Sequence, residues 1–168
     1  MGEEDSGWDQ MCQEWLVDTG YCFAGGLASV ENGAVYAAAP VAESAGWAYM
    51  YKEDHDEEFP NETGDATETV TINEPHNIKQ AITEGRCPHG VWFGGVKYKV
   101  IRQDLNFESG DYSFNCVVLA KEKGGGHLVA TPGGTIVIAL FDENLEQTSG
   151  NCRRVALAFA EYLAEQQY

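Results

Sequence analysis

The chain has 168 residues and a mass of 18.4 kDa, with 43% hydrophobic and 11% aromatic residues. That is enough chain for one domain able to bury roughly 70% of its unfolded surface, and it excludes a disordered tail or a miniature disulfide scaffold. Ten Lys and Arg stand against 27 Asp and Glu, a formal charge of −17, which repels phosphate backbones and anionic lipid and excludes nucleic acid as a partner.

The charge is uneven. Residues 1–75 carry 17 acids and one base, Lys52, whereas residues 76–168 carry 10 acids and nine bases. The second half can therefore present a locally basic surface built from Lys97, Lys99, Arg102, Lys121, Lys123, Arg153 and Arg154. The opening MGEEDSGWDQ is acidic where a signal peptide is basic and then apolar, and no run of apolar residues is long enough to span a bilayer. The expectation is a soluble cytoplasmic protein. Five cysteines, Cys12, Cys22, Cys87, Cys116 and Cys152, form no CxxC pair and are odd in number, as expected for reduced, mostly packed thiols.

In chain order, Ser6 is a candidate N-cap, and Trp8, Met11, Cys12 and Trp15 follow at i, i+3, i+4, i+7, predicting a helix over 7–18 that ends near Gly20. CFAGGLAS and AVYAAA, broken at Glu31-Asn32-Gly33, predict a hairpin. Residues 40–51 hold a short helix around Trp47. From Glu53 to Glu74 there are nine acids and no base, an exposed, self-repelling loop or β-hairpin arm whose end, TETVTI, has the alternation of a strand. Asn73 to Gly85 predicts a helix with Pro75 in its first turn and Gly85 as its stop.

Strands are then expected at 91–94, 97–102, 112–119, 127–131 and 135–141, separated by glycine-rich turns that include Gly124 to Gly126. A last helix over 151–166 places Val155, Phe159, Tyr162 and Leu163 on one face, with Ala156 and Ala160 allowing close approach. The order fits one α+β domain, a central antiparallel sheet covered by the terminal helices.

Catalytic signatures fail. Gly124-Gly125-Gly126-His127 lacks the ending of a phosphate loop, and there is no GxSxG or HExxH. Asp54, Asp56, Glu58 and Asp65 approach EF-hand spacing, but Phe59 stands where glycine is needed. The four histidines are scattered and read as surface or turn residues. No enzyme, metal site or cofactor is expected.

Two binding surfaces remain. Aromatics of the end helices either fill core or form a groove for a polyproline II segment, which is already extended and loses little entropy on docking. Lys97 and Lys99, two apart on a strand and so on one face, with Arg102 near its end, are either a solvated face or a docking surface for an acidic protein.

The residues also carry a resemblance. Trp8-Asp9 and Glu14-Trp15-Leu16-Val17, Ala34-Val35-Tyr36-Ala37-Ala38, Gly90-Val91-Trp92, the run Gly94-Gly95-Val96-Lys97-Tyr98-Lys99-Val100-Ile101-Arg102, and Ala158-Phe159-Ala160-Glu161-Tyr162-Leu163 together resemble the profilin family over essentially the whole chain. The acidic arm and the segment from Phe141 to Gln147 are similar to its apicomplexan branch. The resemblance implies a single domain whose sheet has the terminal helices on one face and shorter helices on the other. It implies a cytoskeletal protein that binds monomeric actin, as a monomer, and proline-rich segments of formins.

By position, the resemblance puts polyproline binding on Trp8, Met11, Tyr36, Tyr162, Leu163 and Tyr168, with Met11 where an aromatic is usual, Tyr36 in place of a tryptophan and Tyr162 where histidine is frequent. It puts actin binding on Lys97, Arg102, Lys121, Gly150, Arg153 and Arg154. The arm is implied as a further actin contact or as the part read by a host innate receptor. Phosphoinositide binding, frequent in the family, is weakened by the charge of −17, with Lys97, Arg102 and Lys121 left to hold a headgroup. The rival from another class is a regulatory sensor that binds a small ligand inside a similar α+β fold.

Overall fold

The computed structural model describes residues 3–168, with side chains from Gly7 onward. Helix α1 spans Glu3–Trp15, followed by a 3-10 turn at Val17–Thr19 and by Gly20, whose φ of +84° breaks the helix. Ser6 therefore lies inside α1, not at its cap. Acids are favoured in a helical first turn, and the helix takes in the acidic residues upstream of Ser6.

Strands β1 (Ala24–Ser29) and β2 (Val35–Ala39) form the expected hairpin, and the short helix α2 spans Ala45–Met50. The acidic segment pairs as a separate two-stranded ribbon, β3 (His55–Pro60) and β4 (Thr67–Ile72). Helix α3 covers Glu74–Glu84; the Asn73 side chain accepts the His76 amide, and Gly85 closes the helix at φ +73°. Then come β5 (Val91–Phe93), β6 (Val96–Ser109), β7 (Tyr112–Lys121), β8 (Gly124–Ala130), β9 (Thr135–Asp142) and α4 (Ser149–Glu165).

The main sheet has seven antiparallel strands in the order β2-β1-β9-β8-β7-β6-β5. Alternate residues of each strand feed two cores. On one face Leu27, Phe114, Val129, Val137 and Phe141 pack with Cys12 and Leu16 of α1 and Val155, Ala156, Phe159 and Ala160 of α4. On the other, Val117, Leu119, Leu128, Ile136 and Ile138 meet Met50 of α2 and Ile78, Ala81 and Ile82 of α3. Terminal helices thus cover one face and the shorter helices the other.

The structure corrects the reading of Gly124 to Gly126 as a turn. These glycines lie within β8, and the chain reverses one step earlier at Glu122-Lys123, with Lys123 at φ +58°. A side chain at Gly126 would stand 2.6 Å from Leu140 Cδ2 and 2.7 Å from the Ala139 carbonyl, so close neighbours in the sheet, not turn geometry, require glycine there. Strand β6 also runs well past Arg102, bending at register shifts between Val100 and Arg102 and between Asp104 and Phe107.

One buried carboxylate organises the base of the β3-β4 arm. Glu74, 1% exposed, accepts the backbone amides of Lys52 (2.9 Å), Gly94 (2.9 Å) and Gly95 (2.8 Å) and lies 3.2 Å from His55 Nε2. These contacts satisfy a carboxylate that would otherwise be costly to bury. They also fix the start of the arm against the β5-β6 turn.

Candidate binding surfaces

Helices α1 and α4 lie side by side on one sheet face, and between them opens a groove of about 380 Å³ lined by Gly7, Trp8, Met11, Tyr162, Gln166 and Tyr168. Its rings hold one another in place. Trp8 meets Tyr168 edge to face at 4.9 Å and Tyr36 at 6.0 Å, while Trp15 stacks on Tyr162 at 4.9 Å and on Phe159 at 5.6 Å. Tyr168 is fixed further, because its amide donates to the Leu163 carbonyl (2.9 Å) and its carbonyl accepts from Thr131 Oγ1 (2.8 Å).

Of the six residues assigned to polyproline binding, Trp8, Met11, Tyr162 and Tyr168 line this groove. Tyr36 stands behind Trp8 with its hydroxyl 3.4 Å from Thr135 Oγ1. Leu163 is completely buried, a packing residue beneath the groove with no surface to offer a ligand. Helical spacing placed Leu163 and Tyr162 on one stripe but could not separate the floor of a groove from its wall. Sequence reasoning put Trp15 on the aromatic surface of the first helix without a ligand contact, and gave Gln166 no role. Trp15 at i+7 from Trp8 was the available signal, while Gln166 gave none.

The basic residues fall into groups: Arg102, Arg153 and Arg154 lie by the start of α4, and Lys97 and Lys99 lie by the segment that follows α3. Tyr98 and Val100 point toward α3; Lys97 and Lys99, which alternate with them, line a cavity with Gly85, Arg86, Cys87 and Pro88 just past α3, and the shift after Val100 brings Arg102 opposite Val118. Asp104 links this strand to the helix. Its Oδ2 lies 2.8 Å from Arg102 Nη2 and 3.4 Å from Arg153 Nη2, and the Arg153 guanidinium stacks over Phe107 at 4.4 Å. Arg154 lies over Tyr21 at 5.0 Å, and Gly150 is exposed in the first turn of α4. Arg102 keeps 57% of its side chain exposed and Arg153 24%.

Lys121 does not join them. It follows Val117 and Leu119 in alternation and lines a cavity of about 230 Å³ on the α2 side with Phe23, Tyr49, Phe93 and Tyr98. The resemblance and the distribution of bases had grouped it with Arg102, Arg153 and Arg154.

Two histidines depart from the expected surface or turn positions. His127, 2% exposed, sits beneath the start of α4, where Nε2 lies 3.0 Å from the Ser149 carbonyl and burial pushes its pKa down to about 4. His55 lies between Glu57 (2.7 Å) and Glu74 (3.2 Å). The arm reaches the basic strand as well: Phe59 packs on His89 at 4.7 Å and lies under Lys97 Nζ at 5.1 Å.

Among the described residues no cluster of His, Cys, Asp and Glu is arranged to hold a metal ion, and no helix is long and apolar enough to cross a membrane. The Cys152 thiol, beside Arg153 in sequence, is driven up by the Cys22 contact and by burial, the reverse of an activated nucleophile.

The two terminal helices clasp one face of an antiparallel sheet, with an aromatic groove between them and Arg102, Arg153 and Arg154 by the start of the second, in a single α+β domain. The profilin family model matches residues 6–168, and the chain belongs to the profilin family, whose members are non-enzymatic actin-binding proteins of the cytoskeleton. It is 44% identical over 170 residues to the profilin of Plasmodium falciparum (isolate 3D7), covering 98% of each chain, and 38% identical to that of Plasmodium berghei, covering 96% of this chain and 95% of the other. These relatives place it with profilins of apicomplexan type.

Among solved structures, Schizosaccharomyces pombe profilin superposes with a TM-score of 0.64 at 20% identity, covering 96% of this chain and 99% of the other. Mouse profilin IIa in complex with a double repeat from the FH1 domain of mDia1 gives 0.56 at 17% identity, with coverage of 96% and 99%.

Proposed function

We propose that the chain regulates actin assembly in the cytoplasm by holding an actin monomer on its cationic face and a proline-rich formin segment in its aromatic groove. The observation that carries the second half is the groove itself, where Trp8, Met11, Tyr162 and Tyr168 converge with rings already locked by mutual packing. A polyproline II helix is equally pre-ordered, so little entropy opposes docking. The structural neighbour bound to an FH1 repeat is a profilin with the same fold. Membership in the profilin family favours this reading over a small-ligand sensor.

For actin, Lys97, Arg102, Arg153 and Arg154 supply positive charge in a molecule of net −17, with Gly150 leaving room for close approach. Opposite charges across such a contact speed encounter and fix orientation. Lys121, on the other side of the sheet, would act only at the margin. The arm, tied to Lys97 through Phe59, is an added contact surface beside that face, and its acidic rim is the part suited to a receptor with a basic groove.

Pyrene-actin polymerisation, titrated with this protein in the presence and absence of a formin fragment, tests both halves. Dose-dependent change in assembly that responds to the proline-rich segment is the expected result. A protein that leaves assembly unchanged in both arms overturns the reading.

A further inference from the structure

Of the five cysteines, two meet. Cys22, on the segment between the Val17–Thr19 turn and β1, and Cys152, in the first turn of α4, place their sulfurs 3.6 Å apart, 130 residues apart in sequence and both buried. Both are free thiols. The same two segments are joined by Gln147 Nε2 donating to the Gly20 carbonyl at 3.1 Å and by Arg154 over Tyr21 at 5.0 Å. By contrast, the Cys87 thiol donates to the Gly90 carbonyl at 2.9 Å.

We propose that Cys22 and Cys152 are a modification site: under a peroxide they form an intramolecular disulfide that staples the start of α4 to the strand-β1 lead. A disulfide requires sulfurs about 2.05 Å apart, so closure from the 3.6 Å contact asks for a shared approach of about 1.5 Å. The thiolate of Cys22 attacks one peroxide oxygen, the O–O bond breaks, and the departing hydroxide takes the thiol's proton to leave as water. Opening of the covering segment relieves the burial that keeps Cys152 protonated, and its thiolate then attacks the resulting sulfenic sulfur and expels hydroxide, which leaves as a second water with the second proton. Two electrons pass from the two sulfurs to the peroxide.

Burial makes the reaction conditional. Neither sulfur is reached by oxidant until the Val17–Tyr21 segment opens, so the pair stays reduced under transient exposure and closes under sustained exposure. Once formed, the bond constrains the unfolded chain through a long loop. Its position beside Arg153 and Arg154 ties the cationic face to the end of α1.

The test treats the folded full chain with hydrogen peroxide, then counts thiols after denaturation, maps peptides under non-reducing conditions and records thermal unfolding. Chymotrypsin suits the map, since cleavage at Trp15, Leu16 and Tyr21 separates Cys12 from Cys22. Expected are a fall from five thiols to three, a Cys22–Cys152 linked peptide, and a melting temperature raised by about 5–15 °C that dithiothreitol reverses. Cys22→Ala and Cys152→Ala should each lose the pair and the shift, whereas Cys87→Ser should keep both. A different linked pair, five thiols surviving sustained peroxide, sulfonic acids at both positions, or an unchanged melting temperature in the linked protein overturns the proposal. The peptide map of the unsubstituted chain decides even if a variant fails to fold.

Discussion

The aromatic groove and the cationic face share helix α4 but are held in place by different forces. In the groove, Trp8, Trp15, Tyr162 and Tyr168 are fixed by ring packing and by backbone bonds to Tyr168, contacts that salt and pH hardly change. In the cationic face, Arg102 and Arg153 are oriented by a single carboxylate, Asp104, and the helix turn that carries Arg153 rests on a neutral buried histidine. One surface is preorganised by dispersion and shape, the other by charges that ionic strength screens and by a buried histidine that acid protonates. Conditions should therefore separate them.

The largest expected effect comes from removing the groove's central ring. Trp8→Ala deletes the partner of both Tyr36 and Tyr168, and should weaken octaproline binding by about a hundredfold, as read by intrinsic fluorescence titration, while actin sequestration changes less than threefold. Retained octaproline affinity would move the site away from the terminal helices.

Acid should break the other surface first. Folding holds His127 neutral by lowering its pKa from 6.5 to about 4, so its contribution is complete above pH 6.5 and disappears as the pH falls toward 4. The loss amounts to on the order of 3 kcal/mol by the usual conversion. Melting temperature followed between pH 7 and 4 should fall more steeply for the unsubstituted chain than for His127→Gln. Parallel curves for the two would remove His127 from the account.

Charge reversal at Lys97 and Arg102 together should lower actin affinity by about thirtyfold at low salt, shrinking toward tenfold as ionic strength rises, with octaproline binding unaffected. Unchanged actin co-sedimentation would show that the face is only solvated. Smallest is Asp104→Ala. Releasing Arg102 and Arg153 from their shared carboxylate removes positioning but not charge, so a two- to threefold weakening for actin is expected, since half-exposed ion pairs contribute little. An effect as large as the charge reversal would mean that Asp104 itself contacts the partner.

Much of this was legible before the structure. The order of helices and strands follows from periodicity and turn residues, and the two candidate surfaces follow from an aromatic stripe on each end helix and from nine of the ten bases falling in the second half. What escaped were facts of packing. Gly124 to Gly126 resemble a turn because glycine-rich runs usually are, yet the crowding of Ala139 and Leu140 that makes glycine necessary at Gly126 is visible only when β9 lies alongside. Asp104 was one acid among 27, and only the bend of β6 brings it to Arg153.

By itself, then, the sequence determined local choices: which segments are helices and strands, which strand faces are apolar, how charge divides along the chain, and a likeness to profilins that the family match bears out. The tertiary structure alone decided which residues share a surface. It buried Leu163 beneath the groove, sent Lys121 to the far side of the sheet, and brought Cys22 against Cys152 across 130 residues. The reason is physical. Periodicity of 2 or 3.6 residues assigns a side chain to a face of its own element, whereas bulges, sheet order and the docking of α1 beside α4 determine what that face meets.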